Sequence, residues 1–279
     1  MPGPVAQSRG TLPPVIDLHL HLLHGIDDGA RDLDGSIAMV ARAVELGFDR
    51  LVATPHLDGR LSSSYRALVA ERLAELGPIA DDMGVTVHTG FEHKLAPDLA
   101  ARLDAGEAST LGGSAAVLVE LPFHGWPLYT DHALFDLMSA GYRPVLAHPE
   151  RYSAVQEDPE LALGLAERGI LHQLTFGSIT GLFGKAAMRV SELLLERDAV
   201  AVLASDAHSA GQRYVAVSQG RQRAEDLVGE ERVRQLALDN PAALLAGRPL
   251  PESVFDGVAH GDARRPGMLT WARRMLVKG

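Results

Sequence analysis

The sequence predicts an α/β protein folded as a single closed barrel of parallel strands, and three observations carry that reading. Short apolar runs alternate with amphipathic stretches from residue 15 to about residue 245, as expected of parallel strands joined by helical crossovers. About seven such units follow one another with no linker between them. Most of the apolar runs end in His, Asp or Glu, residue types that a barrel gathers at the one rim where its strands terminate. An open doubly wound sheet is the runner-up. It is weaker because no Gly-rich phosphate loop follows the first strand.

Taken in order, the first strand is Val15-Ile16-Asp17-Leu18-His19-Leu20-His21. Side chains alternate along a strand, so His19 and His21 point to one side and make half a metal site. The glycine-flanked acidic loop Gly25-Ile26-Asp27-Asp28-Gly29-Ala30 follows, and then Ile37, Val40, Ala41 and Val44 recur at helical spacing up to Gly47. The second strand, Leu51-Val52-Ala53, ends at Thr54-Pro55-His56, and Leu68, Val69, Leu73 and Leu76 mark the next helix. A third strand over residues 85–90 leads into Phe91-Glu92, and a helix over residues 97–103 follows. The fourth strand, Val117-Leu118-Val119, closes on Glu120, ahead of a helix over residues 128–140. The fifth, Pro144-Val145-Leu146-Ala147, runs into His148-Pro149-Glu150-Arg151-Tyr152, with a helix over residues 161–168 after it. The sixth, residues 170–174, ends without an obvious ligand, and residues 187–197 are helical. The seventh, residues 200–204, ends in Ser205-Asp206-Ala207-His208, and helices continue to about residue 245.

Composition narrows the chemistry. At 279 residues, with 46 % hydrophobic and 22 % charged content, the chain suits a soluble globular domain with a sizeable core. It contains no cysteine, which excludes disulfides, thiolate zinc sites, iron–sulfur clusters and a cysteine nucleophile. A net charge of −10 argues against non-specific nucleic-acid binding. Residues 1–14 are Pro/Gly-rich with no apolar segment of the signal-peptide kind, and no apolar run is long enough to span a bilayer, so a cytoplasmic location is expected. The expected organisation is an extension over residues 1–14, one barrel domain over 15–250 and a tail over 251–279. In that tail Met268, Leu269, Trp271, Ala272, Met275 and Leu276 alternate with Arg273, Arg274 and Lys278, read as a short helix packed on the barrel or a frayed end, with a docking segment for an acidic partner or membrane surface as the alternative.

The strand ends thus supply His19, His21, His56, Glu92, Glu120, His148, Asp206 and His208. Any one of them has an ordinary explanation, as a helix cap or a core histidine. Six of about seven strands ending this way points instead to a polynuclear metal site. Asp28 is a further candidate with Asp27 as its competitor, and His24 is the likeliest addition among the remaining histidines, which otherwise read as packing or surface residues.

Taken together, Asp17-Leu18-His19-Leu20-His21, Asp27-Asp28-Gly29, Thr54-Pro55-His56, Gly90-Phe91-Glu92, the stretch from Ala147 to Tyr152 and Ser205-Asp206-Ala207-His208 resemble the PHP (polymerase and histidinol phosphatase) metallophosphoesterases. Within that group His148-Pro149-Glu150-Arg151-Tyr152 and Gly181-Leu182-Phe183-Gly184 resemble the bacterial protein-tyrosine phosphatases of capsule and exopolysaccharide biosynthesis. The resemblance implies a distorted seven-stranded β/α barrel and three divalent ions, manganese first, with iron or zinc as alternatives. One ion would take His19, His21, Glu92 and Asp206. A second would share Glu92 and take Glu120 and His148. A third would take Asp28, His56 and His208. Arg151 and Arg213 would grip the phosphate.

Three divalent ions against four carboxylates leave a positive site suited to a phosphate dianion, with a metal-bridging hydroxide as the expected nucleophile. The expected activity is a metal-dependent phosphomonoester hydrolase acting on a phosphotyrosine protein, a bacterial tyrosine kinase of polysaccharide synthesis foremost. The alternatives are a small-molecule phosphatase of the histidinol-phosphate type and a non-catalytic metal-binding regulatory subunit. The oligomeric state is left open.

Overall fold

The computed structural model describes residues 15–250. The extension over residues 1–14 and the tail over 251–279, including the basic amphipathic pattern, lie outside the described residues. The fold is mixed α/β, and all the strand pairs recorded are parallel. The strands are β1 (Val15–Leu20), β2 (Phe48–Ala53), β3 (His56–Leu57), β4 (Thr86–Thr89), β5 (Glu92–Lys94), β6 (Ala116–Glu120), β7 (Arg143–Ala147), β8 (Leu171–Thr175) and β9 (Val202–Ala204). The helices that separate them are α1 (Leu33–Glu45), α2 (Ser63–Asp82), α3 (Leu99–Asp104), α4 (Thr130–Ser139), α5 (Ser153–Glu157), α6 (Glu160–Glu167), α7 (Phe176–Ile179), α8 (Lys185–Glu196), α9 (Gln212–Val228), α10 (Glu230–Arg234) and α11 (Asn240–Leu245).

The expected seven strands are resolved as nine, in two sheets of order β1-β2-β4 and β3-β5-β6-β7-β8-β9. The second and third expected strands are each cut in two, at Thr54-Pro55 and at Gly90-Phe91. Pro55 has no N–H to give to a ladder, so the pairing breaks there. At Gly90 the chain runs so close to Leu111 that a Cβ would overlap it. Hydrogen bonds carry the parallel pairing across both breaks and join the two sheets where β1 meets the chain after β9. Gly90 N donates to Ala53 O (2.9 Å) and Glu92 N to Pro55 O (3.1 Å). Asp206 N donates to His19 O (2.9 Å) and His21 N to Ala207 O (2.8 Å), which ties the end of β1 to the chain just past β9.

Two apolar layers follow from this arrangement. The larger lies between strands and helices and includes Leu20, Leu51, Leu146 and Leu174 with Leu76, Leu134 and Leu194. The smaller joins Ile16, Leu18, Val52, Leu118, Val145 and Val202, and Leu244 of α11 packs into it. Helix starts are fixed locally: Asp32 caps α1 by accepting from Gly35 N (2.9 Å), and Ser62 caps α2 by accepting from Tyr65 N (3.1 Å). The chain also contains short helices that the periodicity does not reveal, α5 and α7 among them. Each is five residues or fewer, too short for a 3.6-residue repeat to show.

Candidate metal centre

The site is assembled where β1, β6, β7 and β9 end and at the two breaks, after β2 and after β4, where His56 and Glu92 open the next strand. Strand β1 delivers His19 and His21, and the parity expected of them holds. His19 Nε2 lies 3.2 Å and His21 Nε2 3.3 Å from the same oxygen, Glu92 Oε2, at the start of β5. Both nitrogens also face Asp206 Oδ1, at 3.4 and 3.6 Å. His56, at the start of β3, brings Nδ1 to within 3.2 Å of Glu92 Oε2. The other oxygen of Glu92 accepts from His148 Nε2 (3.0 Å), which stands 3.7 Å from Glu120 Oε1. Asp28 Oδ1 lies 3.5 Å from His56 Nε2 and 3.4 Å from His208 Nε2. All nine metal-ligand candidates read from the sequence thus lie in one cluster centred on Glu92, which faces four imidazoles with its two oxygens.

Four overlapping groups could each hold an ion: His19, His21 and Asp206; His19, Glu92 and His148; His56, Glu92 and Glu120; and His21, Asp28, His56 and His208. The first lacks the expected Glu92, the expected set Glu92, Glu120 and His148 is divided between the second and third groups, and the last adds His21, whose ring centroid is 3.9 Å from that of His208. His24 does not join the cluster but meets Glu75 of α2 at 3.0 Å.

The backbone at the site is held in uncommon conformations. His148 (φ 34°) and Asp206 (φ 50°) are two of the three non-glycine residues with positive φ among the described residues. Such strain is of order ~1–3 kcal/mol per residue and persists where surrounding contacts dictate the geometry. Here His148 N donates to Gln173 O (2.8 Å) and Asp206 N to His19 O (2.9 Å). The buried Asp17 carboxylate braces the same turn by accepting from Ser205 N (3.0 Å) and Ser205 Oγ.

Imidazole orientation is set from behind. His19 Nδ1 donates to Gln173 Oε1 (2.8 Å) and His21 Nδ1 to Asp27 Oδ2 (2.7 Å), leaving each Nε2 to face the carboxylates. Asp27 also accepts from Gly29 N (3.0 Å) and His56 N (3.0 Å). The two neighbouring aspartates therefore divide the work: Asp27 orients His21, while Asp28 reaches the cluster from a side chain 65 % exposed. Gly29 makes this possible, because a Cβ there would overlap the His21 backbone.

His19 Nε2 and His21 Nε2 are fully buried yet lack a hydrogen-bond partner of proper geometry, although carboxylate oxygens stand at ion-pair distance. Burial lowers the His21 imidazole, but the hydrogen bond to Asp27 and the nearness of Glu92 outweigh it and raise it to about 10. Burial raises Asp206, yet His19, His148 and Arg213 bring it down to about 2. Burial and the charge of Glu92 lift Glu120 to about 7. Protons on His19 and His21 thus balance the clustered carboxylates, while burial lowers His148 and His208. A divalent ion answers the same need with better geometry, since orphaned imidazole nitrogens and carboxylate oxygens are its natural donors. The residues present therefore fit a metal.

Arg151 and Arg213 converge on the flank of this cluster. Arg151 Nη1 donates to Asp206 Oδ2 (2.5 Å), and Arg213 Nη1 stands 2.7 Å from the same oxygen. The Arg151 guanidinium carbon lies 4.8 Å from the Phe123 ring centroid and 4.3 Å from that of Phe183, and Arg213 lies 5.4 Å from Phe183. The sequence reading names both arginines. It uses Phe183 only as part of a motif and does not single out Phe123, because an isolated aromatic in a loop has no periodic signal.

Comparison with known proteins agrees with this geometry. The family profile described as capsular polysaccharide synthesis, CpsB/CapC, matches residues 15–246. The tyrosine-protein phosphatase YwqE of Bacillus subtilis (strain 168) is 36 % identical over 197 residues, covering 70 % of this chain and 78 % of YwqE. The tyrosine-protein phosphatase CpsB of Streptococcus pneumoniae is 26 % identical over 238 residues, covering 83 % of this chain and 98 % of CpsB. A solved structure described as one of YwqE and CpsB, unique metal-dependent tyrosine phosphatases, superposes with a TM-score of 0.76 at 31 % identity, over 85 % of this chain and 96 % of that one. The family expected from the strand-end motifs is borne out: the chain belongs to the CpsB/CapC family of capsular polysaccharide synthesis.

Proposed function

We propose that this protein is a metal-dependent phosphomonoester hydrolase acting on phosphotyrosine in proteins. The observation that carries the reading is the cluster of nine His and carboxylate side chains centred on Glu92, flanked by two guanidinium groups. The relatives named above, called tyrosine-protein phosphatases, support it. His19, His21, Glu92 and Asp206 would hold one ion, Glu92, Glu120 and His148 a second, and Asp28, His56 and His208 a third. Manganese is the metal of choice, with iron or zinc as alternatives. When bound, divalent ions supply Lewis acidity and acidify water toward neutral pH.

The chain's own residues do the rest. Gln173 and Asp27 hold His19 and His21 in the tautomer that presents Nε2. Arg151 and Arg213 bind the phosphoryl oxygens as a planar, charge-assisted fork. The flanking phenyl rings limit the freedom of Arg151. The finer parts of the proposal are a substrate that is a bacterial tyrosine kinase of polysaccharide synthesis, a cytoplasmic location, and residues 15–250 acting as one domain whose two stitched sheets form a distorted barrel. No described helix is long and apolar enough to cross a membrane.

The test combines elemental analysis of purified protein with turnover of a phosphotyrosine peptide and of histidinol phosphate. Chelation is expected to abolish peptide turnover and Mn²⁺ to restore it. Full turnover with metal content near zero refutes the reading, and a marked preference for histidinol phosphate replaces the proposed substrate.

A further inference from the structure

Beside Glu92 and Glu120 a cavity of about 250 Å³ opens to the surface, lined on its metal side by these two carboxylates and His56. Farther out it meets the pair Lys94–Asp58, with Lys94 Nζ 3.1 Å from Asp58 Oδ2. Its remaining notable wall is the side chain of Phe123, three residues beyond the end of β6. Phe123 is 38 % exposed, which burial in the core does not explain. It lies close to the His148 ring (5.5 Å, 19° between planes) and to the Arg151 guanidinium (4.8 Å). The cavity therefore has an end of metal-donor groups, which would attract a dianion once they hold divalent ions, and an aromatic wall beside the Arg151 guanidinium. These suit the two ends of an aryl phosphomonoester, a dianion joined directly to a ring. An alkyl phosphate presents the dianion alone.

We propose that Phe123 is a specificity-determining residue, lining the place where the leaving group's aromatic ring lies and favouring aryl over alkyl phosphates. The proposal rests on the phosphatase reading and deepens it. Ring–ring contacts of this kind correspond to about 3- to 10-fold in binding. Phe123 also packs on Arg151, so a purely structural role predicts something different: a loss shared equally by every phosphomonoester.

The experiment measures kcat and KM of the metal-loaded full-length protein on one peptide sequence carrying either phosphotyrosine or phosphoserine, for wild type, Phe123→Leu and Phe123→Trp. In parallel, binding of the corresponding non-hydrolysable phosphonate peptides is titrated. Phe123→Leu is expected to raise KM for the phosphotyrosine peptide about 3- to 10-fold, to reduce the aryl-to-alkyl preference by the same factor in turnover and in phosphonate binding, and to be rescued by Phe123→Trp. An unchanged preference, or an equal loss of kcat on both peptides, overturns the proposal. If wild type hydrolyses neither peptide, the phosphatase reading fails. The phosphonate titration then decides this inference alone: an aryl preference weakened by Phe123→Leu sustains it, and equal binding of the two phosphonates ends it.

Discussion

The strand-end rim and the layer between strands and helices both bury histidines, and they treat them in opposite ways. At the rim His21 is pushed up to about 10, because the carboxylates of Asp27 and Glu92 outweigh the burial that would lower it. In β8, His172 is just as buried, no carboxylate raises it, and burial alone drags it down to about 4. His93, beside Glu92 in sequence, follows His172: burial holds it near 4, and its Nε2 meets Ser109 O at 2.6 Å. His148 shows that the rim is not uniform, since burial and Arg151 keep it lowered despite its contact with Glu92. Burial therefore does not identify a functional histidine. The carboxylates gathered around it do, and they mark where a cation is wanted.

The largest expected effect comes from removing the residue that creates the difference. Glu92→Gln removes the carboxylate charge and replaces by NH2 one of the two oxygens that face His19, His21, His56 and His148. The expected outcome is a loss of roughly 1,000-fold or more in kcat/KM on a phosphotyrosine peptide, together with a fall in bound metal. Asp28→Asn should do less, because that side chain is mostly exposed and sits at the edge of the cluster. A Glu92→Gln protein with wild-type metal content and turnover would show that the rim histidines are paired for stability alone.

The arginines sharpen the comparison from the other side, since they stand at the rim without being metal donors. Arg151→Ala and Arg213→Ala are each expected to lower kcat/KM by roughly 30- to 1,000-fold with metal stoichiometry intact. Arg151→Lys should recover only part of that, because an ammonium cannot reproduce a planar fork. Parallel measurement of metal content separates the two roles. Lost metal in Arg151→Ala would make the arginine a structural partner of Asp206, to which it is bonded at 2.5 Å.

How much of this is legible in the sequence depends on how local the signal is. Strand-end ligands are legible because alternation in a strand and parallel packing fix where a terminal side chain goes, and His19, His21, Glu92 and Asp206 meet as that logic requires. The breaks at Pro55 and Gly90 are not, because an interrupted strand and a continuous one read alike until the ladder is seen. Nor is the division of labour between Asp27 and Asp28. Two adjacent carboxylates in one loop are equivalent until the fold at Gly29 decides which turns toward His21. Gln173 and Phe123 escape for a related reason: their roles come from contacts with residues 154 positions away in one case and 28 in the other.

Asp27 tests whether the rim's raised histidine depends on support from behind. Asp27→Asn keeps the side-chain volume but removes the charge that His21 Nδ1 faces at 2.7 Å. Loss of such a partner typically costs about 10- to 100-fold in metal affinity or activity. Titration of the apo protein with Mn²⁺, read alongside turnover at saturating metal, should show weaker binding with most of the activity recovered at high metal. Unchanged Mn²⁺ affinity would mean that the loop backbone alone positions His21.

The smallest effect belongs to the other region and is a matter of pH. Burial holds His172 near 4, below its ordinary value of 6.5. Between those values the unfolded chain binds the proton that the folded protein refuses. Stability supplied by the neutral, buried ring is therefore fully present above pH 6.5, declines as pH falls through the window, and levels off below about pH 4. At pH 5.5 the loss relative to pH 7.5 is about 1 kcal/mol. Rim groups titrate over an overlapping range, so the informative quantity is a difference between two proteins held in the same metal state. His172→Leu keeps the site apolar and removes the titration. Urea unfolding of both proteins at pH 7.5 and pH 5.5 should show the variant losing about 1 kcal/mol less than wild type on acidification. An equal loss in both would mean that His172 takes up its proton in the folded state as readily as in the unfolded one, and that the strand–helix layer is less dry around β8 than its packing indicates.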